Sequence, residues 1–276
     1  MDKKNCLITG ATSGIGLETS RILAEQGYNL ILVSRSEEKL LSLSHDLEKN
    51  FSISTSSYAC DLSSITQTID VSNKIKTNHK EIHCLINNAG GIFMDFETTS
   101  EGLERTFALN HMSYFIITNI LLDNITSRII NVASEAHRGA TISDDFRCPN
   151  KFNGWMQYKN SKLANIYFTY QLNSILDKAK SHLTVNCLHP GVVNTNIANN
   201  NNSLIYKTIS SFIKFFAISS RQGAFTSTYL ATSSEVDSFS GGYFIKSRPV
   251  KSSNISYDKG VAKKLWTLST EIWKST

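Results

Sequence analysis

The chain has 276 residues, enough for one large α/β domain or two small ones, and its 41% hydrophobic and 18% charged residues suit a globular protein with a sizeable core. The net charge is +5 with no local concentration of Lys and Arg, which excludes a nucleic-acid footprint and leaves a mildly basic surface that would also suit a polyanionic cofactor. Five scattered cysteines (Cys6, Cys60, Cys84, Cys148 and Cys187) without a CxxC pair point to reduced thiols in the cytoplasm, and away from disulfides or a metal site.

The start, MDKKNCLITG, passes from charged residues straight into a strand, with no apolar region for a secretory signal. Further strands are expected at NLILVS from Asn29, STSSYA from Ser54, IHCLIN from Ile82, RIINVAS from Arg128 and LTVNCLH from Leu183. Between the first two, Ile15, Thr19, Ile22 and Leu23 share a helical face that ends at Gly27 as C-cap. SEEKLLSLSHDLEK opens a helix with Ser36 as N-cap and Glu37 and Glu38 in its first turn. Strands alternating with helices predict an α/β, doubly wound parallel sheet of the Rossmann-like kind in a single domain, 1–276. The single domain would have two halves, about 1–135 and about 136–276.

Directly after the first strand, TGATSGIG sets Gly10, Gly14 and Gly16 between strand and helix. In that context the turn residues Gly10, Thr12, Ser13, Gly14, Ile15 and Gly16 would cradle a pyrophosphate on free backbone N–H groups at the positive end of the helix dipole. A glycine-rich turn without ligand is the bland alternative. The second strand ends Val33-Ser34-Arg35, with no acid at the ribose position and a fork-shaped cation beside it, so NADP (NADPH) is favoured over NAD. Asp61 would lie at the cofactor rim or cap the next helix. Asn87, Asn88, Ala89 and Gly90, in LINNAG, make a poor strand and a poor helix; they suit backbone held near a ligand, with Asn side chains bridging neighbouring strand ends.

GLERTFALNHMSYFIITNILL reads as an amphipathic helix containing Asn110, either a satisfied core amide or a holder of ordered water. Ser134 closes the strand RIINVAS at the carboxyl edge, where such sheets keep ligands. In YKNSK, Tyr158 and Lys162 lie one helical turn apart. The pair is either ordinary surface polarity or an acid with the cation that tunes it, since a tyrosine hydroxyl ordinarily titrates near about pH 10 and needs help at neutral pH.

TGATSGIG, CDLS, NNAG, Asn110, NVAS, YKNSK and HPGVVNT, in this order, resemble the short-chain dehydrogenase/reductase family over essentially the whole chain. The glycine spacing and length fit its shorter branch better than the extended epimerase/dehydratase branch. The resemblance implies an oxidoreductase in which Tyr158 exchanges a proton with the carbonyl oxygen, Ser134 holds that oxygen, Lys162 binds the ribose and tunes Tyr158, and Asn110 orders a relay water. Tyr158, Lys162, Arg35, Asp61, Asn88, Ala89, Gly90, Pro190, Gly191, Val193 and Thr195 would join the turn residues as cofactor contacts, His189 being structural. SEAHRG after Ser134, the 24-residue gap to Tyr158 (158 − 134) and the ending GGYF…TEIW resemble the retinol-dehydrogenase-like group, although the N-terminal membrane anchor frequent in that group is not expected from MDKKNCLITG. A homodimer through helices is a family tendency.

Between Thr195 and Arg221, an Asn-rich tip precedes Leu204, Ile205, Ile209, Phe212, Ile213, Phe215 and Phe216. This segment is a lid with an apolar inner face, a packing helix, or a peripheral membrane contact; Lys207 and Lys214 interrupt it too often for a transmembrane span. Trp155 and Met156 would line the same pocket. A small lipophilic aldehyde, ketone, retinoid- or steroid-like substrate is favoured, and the alternative is a non-catalytic NADP-binding sensor or scaffold.

Overall fold

The computed structural model describes residues 3–141, 152–191 and 218–276. The first half alternates β1 (Asn5–Thr9), α1 (Gly14–Glu25), β2 (Asn29–Ser34), α2 (Glu37–Asn50), β3 (Thr55–Ala59), α3 (Ile65–Asn78) and β4 (Ile82–Asn87). A helical run follows as α4 (Arg105–Phe107), a π-turn (Ala108–Met112) and α5 (Ser113–Leu121), leading into β5 (Ile125–Val132). Then come α6 (Gly154–Lys178), β6 (Thr184–His189), α7 (Ser220–Thr232), β7 (Tyr243–Ile245), β8 (Arg248–Val250) and α8 (Lys259–Ser275).

Among the described residues the strands form one sheet in the order β3-β2-β1-β4-β5-β6-β7-β8, parallel except for β8 against β7. Apolar side chains alternate through it to build two core layers. Leu7, Ile31, Leu85 and Ile129 meet Val71 of α3, Phe115 of α5 and Leu163 of α6. Cys6, Ile8, Leu30, Leu32 and Ile86 meet Leu23 of α1, Leu43 of α2 and Leu230 of α7. The chain winds outward from β1 to β3 and then returns to β4 on the other side of β1, so the cleft at their carboxyl ends is the topological switch point.

The predicted N-cap of α2 is present, whereas the C-cap of α1 falls one residue before the expected Gly27. Ser36 Oγ accepts from Lys39 N at 3.3 Å with Glu37 and Glu38 in the first turn. At the end of α1, Gln26 is the C-cap and Gly27 follows it, with Gly27 N to Ala24 O at 2.9 Å and Tyr28 N to Leu23 O at 3.0 Å, the paired bonds of a Schellman ending.

Two expectations change, and two strands were not foreseen. β5 stops at Val132, so Ser134 follows the strand instead of closing it. The stretch containing Asn110 is not amphipathic: Ser113 to Thr118 are all buried, because Phe168 of α6 and Trp266 of α8 cover Phe115 at 5.7 and 5.0 Å. The short strands β7 and β8 were missed, three residues each being too few to carry a periodic signal. Cys6, Cys60, Cys84 and Cys187 are buried free thiols, while Cys148 lies outside the described residues. No helix among the described residues is long and apolar enough to cross a membrane.

Arg128 ties β5 to the end of α7. Its buried guanidinium donates Nη1 to Leu230 O and Nη2 to Ser233 O, both at 2.8 Å, and meets the Asp237 carboxylate. It thereby satisfies carbonyls left open at a helix C-terminus. Arg128→Lys cannot reproduce this fork, and we expect it to cost about 1–3 kcal/mol. A lowered urea midpoint with unchanged slope would report that loss.

Candidate active site

The glycine turn is built by close approach. Gly10 N donates to Val33 O at 2.8 Å, which pulls the turn against the end of β2. A Cβ on Gly16 would sit 2.2 Å from Gly10 O and 2.5 Å from Asn88 Nδ2. Gly10 combines φ +68° with Ala89 Cα at 2.9 Å from its would-be Cβ, so an L side chain there is both strained and crowded. Ser13, the N-cap of α1, makes no side-chain cap bond, and the first turn has no acid. The backbone N–H groups of Gly14 and Ile15 therefore head a helix with neither a capping side chain nor a neighbouring carboxylate, a donor set that fits a diphosphate.

At the edge of this turn Thr12 Oγ1 and Ser34 Oγ are 2.6 Å apart, and Arg35 is exposed beside them. Cys60 N bonds Ser34 O at 2.9 Å, bringing Asp61 to the same edge. Asp61 is not the cap of α3: Ser64 is, accepting from Gln67 N at 3.4 Å. Asp61 Oδ1 instead accepts from Ser63 N at 3.0 Å and Ser63 Oγ at 2.8 Å, closing a local turn.

The asparagines after β4 bridge strand ends, as the sequence implied. Asn87 Nδ2 donates to Thr118 Oγ1 and Asn131 Oδ1, both at 2.9 Å, and Asn88 Nδ2 donates to Thr9 O at 2.8 Å. Thr9 Oγ1 accepts from Asn88 N at 2.9 Å and Ala89 N at 3.0 Å, a contribution the sequence reading missed although Thr9 directly precedes the turn. Asn110 sits in the π-turn, fully buried. Its Oδ1 accepts from Gly91 N at 2.8 Å, while Nδ2 donates to Gly91 O at 3.0 Å and to Ser161 Oγ at 2.9 Å. Ser161 Oγ donates onward to Tyr158 O at 2.7 Å. Both the oxygen and the nitrogen of the Asn110 side chain are thus engaged within the protein. Ser161, inside YKNSK, is a further missed member of the site; only its partner on the π-turn reveals it.

Lys162 Nζ donates to Val132 O at 3.0 Å and lies 5.8 Å from the ring centres of both Tyr158 and Tyr114. Burial lowers its pKa to about 8, because the ammonium is expensive to hold away from water. Gly90 is the neighbouring wall: its would-be Cβ lies 3.2 Å from Asn110 Oδ1 and 3.4 Å from Lys162 Nζ. Asn110, Tyr158, Lys162 and the loop from Asn88 to Gly91 therefore converge. Ser134 stands two residues beyond the carbonyl that holds Lys162. Its Oγ accepts from Ala136 N at 3.2 Å, which leaves its hydroxyl proton available. His137 Nε2 accepts from Ser253 N at 3.0 Å, so Nδ1 carries the proton and donates to Ser134 O at 2.6 Å. Burial pushes the half-buried His189 down to about 4, keeping it neutral. Pro190 and Gly191 follow β6, while Val193, Thr195 and the stretch from Leu204 to Ala217 lie outside the described residues. Asn160 Oδ1 accepts from Thr141 N at 3.1 Å, a structural tie.

A parallel sheet with its cleft at the β1/β4 switch, a crowded glycine turn and a Tyr–Lys pair on one helix together define a nicotinamide-dependent oxidoreductase of CH–OH and C=O groups. The chain belongs to the short-chain dehydrogenase family, whose model matches residues 4–204. Human retinol dehydrogenase 13 is 33% identical to it, over 98% of this chain and 83% of that one. Human polyprenol dehydrogenase is 30% identical, over 96% and 84%. A solved structure of an uncharacterized protein from Mycobacterium paratuberculosis superposes with a TM-score of 0.79 at 26% identity, covering 98% of this chain and 93% of that chain. The chain resembles the retinol-dehydrogenase-like group within the family.

The Lys162 shift has a stability consequence. Its folded pKa of about 8 lies below the unfolded value of 10.5, so the unfolded chain binds the proton more tightly. The cost, on the order of 3 kcal/mol, is fully present below about pH 8 and fades as pH rises toward 10.5. Relative to wild type, Lys162→Met should therefore be more stable at about pH 7 than at about pH 10. Urea midpoints of both proteins at the two pH values test this, and a pH-independent difference would refute it.

Proposed function

We propose that the protein is an NADP-dependent reductase of a small lipophilic aldehyde or ketone, running in reverse as an alcohol dehydrogenase. The observation that carries this reading is the buried Lys162 ammonium, 5.8 Å from the centre of the Tyr158 ring and held on Val132 O. A nearby cation stabilises a phenolate and brings a tyrosine toward a useful pKa. In this reading Tyr158 O–H donates its proton to the substrate carbonyl oxygen, and Ser134 O–H donates a hydrogen bond to the same oxygen. Lys162 favours the Tyr158 anion that remains. Asn110 acts by position, fixing Gly91 against Ser161 and hence the loop against the catalytic helix.

The bound nicotinamide would supply the hydride to the carbonyl carbon. Gly10, Thr12, Ser13, Gly14, Ile15 and Gly16 would hold its diphosphate, Asp61, Asn88, Ala89 and Gly90 would border its length, and Lys162 with Pro190, Gly191, Val193 and Thr195 would meet its far end. Arg35, exposed beside the Thr12–Ser34 pair with no acid in the ribose position, supports NADP over NAD. A lipophilic substrate is supported by the exposed aromatic rings of Phe96 and Trp155, 50% and 42% accessible, near the start of α6, and by what human retinol and polyprenol dehydrogenases are named for. Buried free thiols support a cytoplasmic location.

NADPH oxidation with a panel of lipophilic aldehydes tests the reading. Wild type should turn over, and Tyr158→Phe should lose about 10²–10⁴-fold in kcat, the usual worth of a positioned general acid. Tight NADPH binding without turnover across the panel would instead support the sensor alternative. Arg35→Asp should shift the NADPH:NADH preference in kcat/KM toward NADH by about tenfold or more, the loss of one charge-assisted contact.

A further inference from the structure

We propose that Trp155 is a positioning residue for Tyr158: its indole, stacked on the phenol, sets the ring plane and keeps water from one face. This rests on the reading of Tyr158 as the acid. The rings are 5.5 Å apart between centroids and inclined by 20°, an offset stack between residues i and i+3 on one helix.

The stack is unusually well founded for a ring so near a helix start. Trp155 is the second residue of α6, and the N-cap Asn153 accepts from Met156 N at 2.9 Å. Gly154 presses on the preceding loop: its would-be Cβ lies 2.2 Å from Phe93 O and 2.6 Å from Met94 Cα. No side chain fits there, so the backbone entering Trp155 is pinned. The indole is then held from its own helix, with Lys159 Nζ 5.7 Å from its ring centre. The same ammonium lies 3.1 Å from the would-be Cβ of Gly139, in the turn that follows Ser134. Lys159 thus ties the indole toward the Ser134 side of the cleft.

A tyrosine side chain rotates about two torsions, and an acid displaced by about 1 Å can cost on the order of 10²-fold in rate. Fixing the phenol plane is therefore a catalytic contribution in its own right. An indole over one face also removes water that would solvate the phenolate, which disfavours the anion; Lys162 supplies the opposing stabilisation. The two neighbours act in opposite senses on one hydroxyl. A structural staple would change only stability, and a mere substrate wall would change only KM.

The experiment compares wild type, Trp155→Phe, Trp155→Leu and Tyr158→Phe in two readouts. The first needs neither cofactor nor substrate: the emission of wild type minus that of Trp155→Phe is followed from about pH 7 to about 11, a range spanning the ordinary tyrosine titration near 10. A stacked phenol quenches the indole as it ionises, so the difference emission should step down, and the step should vanish in the same subtraction on a Tyr158→Phe background. A flat difference, or a step that survives without the phenol, overturns the proposal. The second readout is the pH profile of aldehyde reduction. Trp155→Leu should lower kcat about tenfold or more and move the alkaline limb to lower pH, while Trp155→Phe restores most of both. A change in KM alone, or in melting temperature alone, also overturns it. If Tyr158→Phe keeps its activity while the emission step is present, the assignment of Tyr158 fails and the stack stands.

Discussion

Three hydrogen bonds from one buried amide set the geometry on which the whole site depends. Asn110 holds both backbone groups of Gly91 and the Ser161 hydroxyl, so the loop after β4 and the helix α6 are locked at one separation. The surroundings make this lock unavoidable. An amide in a fully buried position must find partners or carry a penalty of about 1–3 kcal/mol per unpaired group. The π-turn Ala108–Met112 places the amide toward the loop, since the extra residue rotates it off the regular helical face. A side chain at Gly90 would press on both Asn110 and Lys162, its would-be Cβ lying 3.2 and 3.4 Å from them. Remove the lock and the loop, the lysine and the tyrosine lose their common reference.

The electrostatics follow from the same crowding. Lys162 is buried because α6 packs its middle against the sheet, and the Val132 carbonyl and two aromatic rings replace part of the hydration it gave up. That exchange is incomplete, as the lowered pKa records. A cation kept under-solvated is poised to gain from any anionic or polar partner brought beside it, including an ionising phenol. The start of α1 works the other way round. There the positive potential comes from uncapped N–H groups at the start of α1, and the crowding of Gly10, Gly16, Asn88 and Ala89 shapes the backbone around them.

Much of this was legible in the sequence, for reasons that differ residue by residue. β2 and β4 were read at both ends because Leu30 to Val33 and Cys84 to Ile86 are uninterrupted buried runs bounded by polar residues. Ser36 was readable because a cap is a local device, decided by its own hydroxyl and the N–H three residues on. Asn87 and Asn88 were readable because two amides at a strand end have few uses other than bridging. What escaped depends on partners remote in sequence. The π-turn, the Ser161 link and the Thr9 bonds all join segments that no periodicity connects. The stretch from Ser113 looked amphipathic because α6 and α8, which cover its second face, lie far along the chain. Asp61 illustrates the limit from the other side: a carboxylate ahead of a helix is a good cap candidate, but Ser64 competes and sits at the right position.

The Tyr158–Lys162 pair lies in the first half of a long helix, which raises the question of what keeps it in place. α6 runs 25 residues; Asn160 to Thr169 are buried, and beyond them Leu172 and Leu176 continue the buried face. Phe168 stacks on Trp266 at 5.8 Å, Tyr167 Oη donates to Ile255 O at 2.7 Å, and Thr169 Oγ1 accepts from Asn131 Nδ2 at 3.0 Å. These contacts fix the helix axis and its rotation through two or three turns beyond Tyr158. A helix transmits rotation without slack because successive backbone bonds couple every residue to the fourth before it. The placement of the Tyr158 backbone is therefore decided partly by α8 and by β5. The position of the Tyr158–Lys162 pair is thus set by the core, delivered along one helix.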